Sequence, residues 1–200
     1  MAISAEAVKE LRDRTGAGFM DCKRALEEAA GDIDTAIALL RERGMSAAAK
    51  KAGREARDGL VSSYIHTGGK VGVLIEVNCE TDFVARTDDF QRLVRDLAMQ
   101  VAATYPAWVD VTDIPAELHD AKRREILDAT DVAGKPDAVR EKIAEGRLKK
   151  WYSEPGGVLL EQPFRDEDRT IRDLVVEKIA TIGENIRVQR FTRYALGEDR

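Results

Sequence analysis

Two cysteines and two histidines in 200 residues leave little from which to build a disulfide frame or a multi-imidazole metal centre. Cys22 and Cys79 lie far apart with no CxxC pair, and read as reduced thiols of a cytosolic protein. No apolar run approaches the roughly 20 residues that cross a bilayer, and Met1 to Asp13 alternates charged with apolar residues where a signal peptide would carry its hydrophobic stretch. A surplus of positive charge is also missing. Lys plus Arg is 32 against 37 for Asp plus Glu, a net charge of −5. A dedicated nucleic-acid binder would carry the opposite balance, because phosphate neutralisation dominates its affinity. There is no solenoid repeat and no low-complexity tract. What is present is 44% hydrophobic and 34% charged residues. That composition supports a core beneath a heavily charged surface and argues against disorder.

Residues 1 to 54 read as a small helical unit. Ile3, Ala7, Val8 and Leu11 recur at helical spacing, and Thr15-Gly16-Ala17-Gly18 breaks the pattern. A second helix is expected from about Asp21 to Ala30, stopped by Gly31. Asp32 is placed to cap a third, which Gly44 ends. Ser46 to Ala56, rich in alanine and lysine, reads as a solvated helical linker and so as the domain boundary.

The hydrophobic period then switches to two. Leu60 to Thr67 and Lys70 to Asn78 flank Gly68-Gly69, the signal of a two-residue hairpin turn. That turn pairs Thr67 with Lys70. It puts Leu60, Ser62, Tyr64 and His66 on one face with Val77, Ile75, Val73 and Val71, a face that must be buried. The opposite face, with Val61, Ser63, Ile65 and Leu74, is mixed. A helix follows from about Asp88 to Ala103, with Asp88 and Gln91 as its capping pair and Phe90, Leu93, Val94, Leu97 and Val101 as its apolar stripe. Two charged helices are expected at about 116–130 and 136–151, and a late helix at about 170–182. Ile186 to Leu196 alternates as a closing strand. The fold class is therefore α+β: a three-helix bundle, then a core in which a three-stranded antiparallel sheet packs with helices. The domains are 1–54, with the linker reaching about 56, and 57–200.

Each chemical motif has a plainer reading beside it. Gly16-Ala17-Gly18 follows no strand and precedes no Lys-Ser/Thr pair, so it is a turn between helices and not a phosphate loop. His66 reads as a satisfied core histidine. Cys79 has no oxyanion loop or orienting carboxylate to make it a nucleophile. Lys149-Lys150-Trp151-Tyr152 reads as a helix end rather than an RNA-stacking surface. The stretch Asn78-Cys79-Glu80-Thr81-Asp82-Phe83-Val84-Ala85-Arg86 is different. It joins a strand to a helix, yet carries Phe83 beside Asp82 where a connector is usually small and polar. Either Phe83 tucks under the following helix, or it is an exposed anchor for a partner's pocket with Asp82 adding a directional contact.

These segments together resemble the translation elongation factor Ts family. Val8-Lys9-Glu10-Leu11-Arg12 and Thr15 to Leu26 (TGAGFMDCKRAL) match its opening signature. Gly69 to Arg86 (GKVGVLIEVNCETDFVAR) matches its second, and Leu159 to Phe164 (LLEQPF) with Ile182 to Ile186 (IGENI) its C-terminal pattern. The resemblance implies a UBA-like bundle and guanine-nucleotide exchange on elongation factor Tu, bound both with GDP and without nucleotide. Phe19, Met20 and Lys23 would dock on the partner's nucleotide-binding domain. Thr81, Asp82, Phe83 and Val84 would disturb its magnesium and phosphate site. It further implies a cytoplasmic protein that is not an enzyme, with no catalytic residue, no cofactor and no metal of its own, and no direct contact with nucleic acid or membrane. The length matches the short form of the family, understood to pair as a homodimer. A non-catalytic interaction adaptor and an RNA-associated translation protein remain as alternatives.

Overall fold

Local capping chemistry sets the first three helices. The computed structural model describes residues 3–165, 167 and 169–198. Helix α1 (Ala5–Thr15) starts where the Ser4 hydroxyl accepts from the Ala7 N–H, and ends at Gly16 in the left-handed region, whose N–H donates to Arg12 O at 2.8 Å. Helix α2 (Phe19–Glu28) begins before the expected Asp21, so that Phe19 and Met20 form its first turn. Its C-terminus is a Schellman motif. Gly31 N–H donates to Leu26 O at 2.8 Å and Ala30 N–H to Glu27 O at 3.3 Å, with Ala30 itself, not a glycine, at φ 52°. Asp32 then accepts from Thr35 N–H at 2.7 Å and opens α3.

Helix α3 runs from Ile33 to Lys51, straight through Gly44. The expected stop at Gly44 and the solvated linker after it are both corrected. Gly44 and Ala48 are buried, and a Cβ at Gly44 would stand 3.7 Å from Val176 and 3.8 Å from Ala180. Those residues belong to a later helix, α9 (Ile171–Ile182), and Lys51 Nζ donates to Ile179 O of the same helix at 3.3 Å. Gly44 therefore serves close helix approach rather than termination. The lack of large apolar residues after it marks a small-residue face rather than a bare linker.

The described residues form two compact units, Met1–Ser62 with Glu76–Arg95 and Arg172–Gln189, and Ser63–Ile75 with Asp96–Ile171 and Arg190–Arg200. The first holds α1 to α3 and most of α9. Val8, Leu11, Cys22, Ala25, Leu26, Ala29 and Ala36 form the bundle's own core. The second is built largely from a helical hairpin, α6 (Ala116–Asp128) and α8 (Asp137–Ser153). Ile126, Ala144 and Leu148 meet at its centre, flanked by Leu127, Trp151 and Tyr152. The expected 116–130 helix breaks at Asp128 and restarts as a single turn, α7 (Thr130–Ala133). Buried Gln162 is hydrogen-bonded at both side-chain atoms in this unit, its Oε1 accepting from Thr104 at 2.6 Å and its Nε2 donating to Glu154 O at 3.1 Å.

Three strands, β1 (Asp58–Ile65), β2 (Val71–Cys79) and β3 (Arg187–Ala195), form an antiparallel sheet in the order β1-β2-β3. The α+β class is the one expected. The hairpin register holds too, with His66 N–H donating to Val71 O at 2.9 Å, but the chain reverses one step earlier than expected. Gly69 N–H closes onto His66 O, and Gly68 and Gly69 take φ 92° and 69°. Val73, Ile75 and Val77 are buried, while Leu60, Ser62 and Tyr64 on the edge strand are only half-buried. His66 is exposed, with Nδ1 3.0 Å from the Tyr64 hydroxyl, which corrects its reading as a core histidine. On the other face, Ile65 lies over Gly72. Counting back from the Leu196–Lys70 hydrogen bond sets Tyr194 on the far side of the same glycine.

After β2 come α4 (Asp82–Ala85) and α5 (Asp88–Thr104). The cap of α5 is Thr87, whose hydroxyl accepts from Phe90 N–H at 3.4 Å, rather than the expected Asp88. Gln91 reaches back to Arg86 O instead. Phe90, Leu93, Val94, Leu97 and Val101 are buried as the stripe predicted, and Ala98 is buried with them.

Candidate functional site

The connector singled out in the sequence is a tied loop carrying one large exposed side chain. Thr81 is the N-cap of α4, and its hydroxyl oxygen accepts from Val84 N–H at 3.3 Å. Every other polar atom of Thr81 is also engaged. Its N–H donates to Glu184 Oε2 at 3.0 Å and its hydroxyl to Glu184 Oε1 at 2.7 Å. Its carbonyl accepts from the Cys79 thiol at 3.2 Å and from Ala85 N–H at 3.2 Å. Glu80 N–H adds a second donor to Glu184 Oε2 at 3.0 Å. The contact is reciprocal, because Asn185 N–H donates to the Glu80 carboxylate at 2.6 Å. Arg54 Nη1 lies 3.5 Å from that carboxylate, and its carbonyl accepts from Asn185 Nδ2 at 2.8 Å.

On this base Val84 and Ala85 face inward and are buried, whereas Phe83 is 77% exposed. Phe83 does not tuck under the following helix. Asp82 is exposed and paired with Arg86 one turn on, Nη2 to Oδ2 at 2.7 Å. Val84, expected among the contacting residues, is buried at the footing of the loop in the free chain. Cys79 lies buried beneath, and burial followed by the charge of Glu184 pushes its thiol up to about 11. A thiol held protonated in this way donates a hydrogen bond and is a poor nucleophile.

Phe19, Met20 and Lys23 lie on the first turns of α2 as a second exposed group. Phe19 and Met20 are both exposed, and Lys23 pairs loosely with Glu27 at 3.8 Å. Gly18, which precedes them, offers no side-chain cap, so the helix start is open to solvent and neighbours. Elsewhere, Lys149 and Lys150 pair with Glu145 and Glu154, and Trp151 and Tyr152 pack against Trp108 and His119. That cluster is a helix end, as expected. No group of three or more His, Cys, Asp or Glu side chains among the described residues is arranged to hold a metal ion, and no described helix is long and apolar enough to cross a membrane.

A family model described as Elongation factor TS matches residues 5–198. The chain belongs to the elongation factor Ts family. Proteins named Elongation factor Ts resemble it along nearly its full length. That of Moorella thermoacetica is 59% identical over 98% of this chain and 96% of its own. That of Carboxydothermus hydrogenoformans is 58% identical over 98% and 90%, and that of Coprothermobacter proteolyticus 53% identical over 99% and 100%. Membership makes the chain a translation elongation factor.

Sequence reasoning found the exposed phenylalanine but gave no role to Glu184, Glu80 or Asn185. The first and last of these sit in the C-terminal IGENI stretch that supported the resemblance. A charged residue and an amide side by side between a helix and a strand, at a junction made by Gly183, were the available signal.

Proposed function

We propose that the chain is a guanine-nucleotide exchange factor for elongation factor Tu that promotes GDP release by disturbing the magnesium and phosphate site. The observation carrying this reading is Phe83, exposed at 77% on a loop whose backbone is tied down on both sides. An aromatic ring presented on a rigid base can enter a pocket without the ordering cost that a flexible loop incurs. Thr81, Asp82 and Phe83 meet the partner, Val84 supports them from below, and the push of Phe83 displaces the groups that hold the metal. No covalent bond changes, so the protein catalyses exchange and is not an enzyme in the chemical sense.

The magnitudes are compatible. Nanomolar nucleotide binding amounts to about 12 kcal/mol, and a ten-thousand-fold faster release needs about 5.5 kcal/mol off the barrier. A few anchors at about 2 kcal/mol each supply that. Because coupling is reciprocal, GDP weakens the factor's hold as much as the factor weakens that of GDP.

Phe19, Met20 and Lys23 dock the partner, with residues 1–54 as the docking domain and 57–200 as the exchange and dimerisation domain. Since α3 packs on α9, the docking role is better tested by surface substitution than by deletion. Lys23→Glu should weaken binding in calorimetry and leave release at saturation unchanged, and unaltered affinity would refute the role. The chain forms a homodimer through the outer sheet face, where Ile65, Leu74 and Tyr194 are exposed.

Elongation factor Tu preloaded with fluorescent GDP tests the central reading. Substoichiometric amounts of the chain should accelerate release. Binding without acceleration would mark an adaptor, and salt-sensitive RNA retention in its place an RNA-associated factor.

A further inference from the structure

We propose that Glu184 is the positioning residue for Phe83, an inference that rests on the exchange reading above. Helix α4 is a single turn of four residues. One turn cannot hold itself together, since nucleation fixes several dihedrals for the first hydrogen bond. The direction in which Phe83 points is therefore set by what grips the ends of the turn. At its C-terminal side Val84 and Ala85 are buried, and the Thr87 hydroxyl donates to Val84 O at 2.8 Å. At its N-terminal side it is the Glu184 carboxylate, which takes the backbone N–H groups of Glu80 and Thr81 and the Thr81 hydroxyl, at 3.0, 3.0 and 2.7 Å. Three hydrogen bonds to one charged acceptor are among the stronger polar contacts a half-exposed site offers.

Glu184 is itself fixed in place. Gly183, at φ 91°, turns the chain sharply at the end of α9, its N–H bonded to Ile179 O at 3.1 Å. Directly after Glu184, the backbone N–H of Asn185 is held by Glu80 and its side chain by Arg54 O. The two segments thus clasp each other, each giving a carboxylate to the other's backbone. Glu184 acts on the partner through the turn it holds, above all through the direction of Phe83. Its loss lets the Thr81 end of the turn fray and spreads the ring over many directions, few of them productive. Encounter with the partner, which depends on other surfaces, is unaffected.

The test compares Glu184→Ala, Glu184→Gln, Phe83→Ala and the double variant Glu184→Ala/Phe83→Ala in the full chain. GDP release is followed over a range of partner concentrations, with amide hydrogen exchange on the free proteins and urea unfolding to correct for folded fraction. Glu184→Ala should lower the maximal release rate about tenfold, leave the half-saturating concentration within about twofold, and speed exchange of the Glu80 and Thr81 amides. Glu184→Gln keeps an oxygen for those two amides and should recover most of both losses. The double variant should be no slower than Phe83→Ala. Wild-type release by Glu184→Ala beside a slow Phe83→Ala overturns the inference alone. So does a Gln variant as slow as the Ala variant, or a double variant slower than Phe83→Ala by the full factor. Wild-type release by Phe83→Ala overturns the exchange reading itself, and this inference with it.

Discussion

Replacing Phe83 with alanine separates a packing role from a partner role, because the two give opposite patterns. A buried phenylalanine truncated to alanine costs about 3 to 5 kcal/mol of stability. Phe83 is 77% exposed, so about a quarter of that interaction exists in the free protein, and the expected loss is about 1 kcal/mol. Removing a central anchor from an interface costs about 2 kcal/mol or more, which at 1.4 kcal/mol per tenfold slows release by one to two orders of magnitude. Asp82→Ala should act in the same direction. In the free chain it gives up only an exposed one-turn pair with Arg86, worth about 0.3 to 0.5 kcal/mol. If both residues push on one element of the partner, the double variant falls short of additivity. Stopped-flow GDP release and urea unfolding on the same samples decide the matter. A Phe83→Ala chain destabilised by about 3 kcal/mol, with normal release per folded molecule, would refute the exposed-anchor argument. An unchanged release rate in a fully stable variant would refute the exchange role.

Gly44→Ala should stabilise the chain by about 0.5 to 1 kcal/mol in urea unfolding, because helix propensity improves and the new Cβ meets Val176 and Ala180 at ordinary contact distances of 3.7 and 3.8 Å. Gly44→Leu should destabilise by about 1 to 3 kcal/mol, since the α3–α9 contact has no room for it; a neutral leucine would show that the helices do not pack there. Burial, then Glu184, raises the Cys79 thiol from 9.0 to about 11, so the folded state keeps a proton that the unfolded state loses. Stability contributed by this group is intact below pH 9 and falls as pH rises toward 11, by at most about 2.7 kcal/mol. Cys79→Ala should lack that slope, and parallel pH curves for the two chains would contradict it. Light scattering at micromolar concentration should give twice 22.2 kDa, and Leu74→Glu should return 22.2 kDa; a monomer in the unaltered chain would remove the dimer.

What the sequence disclosed depended on the range of the interaction responsible. Caps such as Asp32 on α3 act over three residues, and hydrophobic stripes such as Phe90 to Val101 repeat within one helix, so both were legible. The readings that failed needed a distant partner or a choice between two local solutions. Gly44 looks like a stop signal until α9, more than a hundred residues later, is known to lie against it. His66 shares the pattern of a buried strand face, but it stands where the edge strand runs out into the turn, and the face ends before it. At Thr87 and Asp88 two adjacent residues were each fit to cap, and a one-residue shift decided between them.

The candidate site combines both cases, which explains why it was only half legible. Phe83 stood out because its type contradicts its local setting, a large aromatic in a polar connector, and such a contradiction marks function when nothing nearby resolves it. The clasp that holds it did not stand out, since Glu184 meets Glu80 and Thr81 across more than a hundred residues of chain. The division has an energetic logic. Full burial of a phenylalanine side chain is worth about 1.5 to 3 kcal/mol, and at 77% exposure most of that is unrealised in the free protein. It stays available for a partner only if the ring is held clear of the chain's own apolar surface. A flexible loop would let Phe83 fold back onto that surface. A loop fixed by long-range polar contacts, which bury little apolar area of their own, keeps the ring out in water.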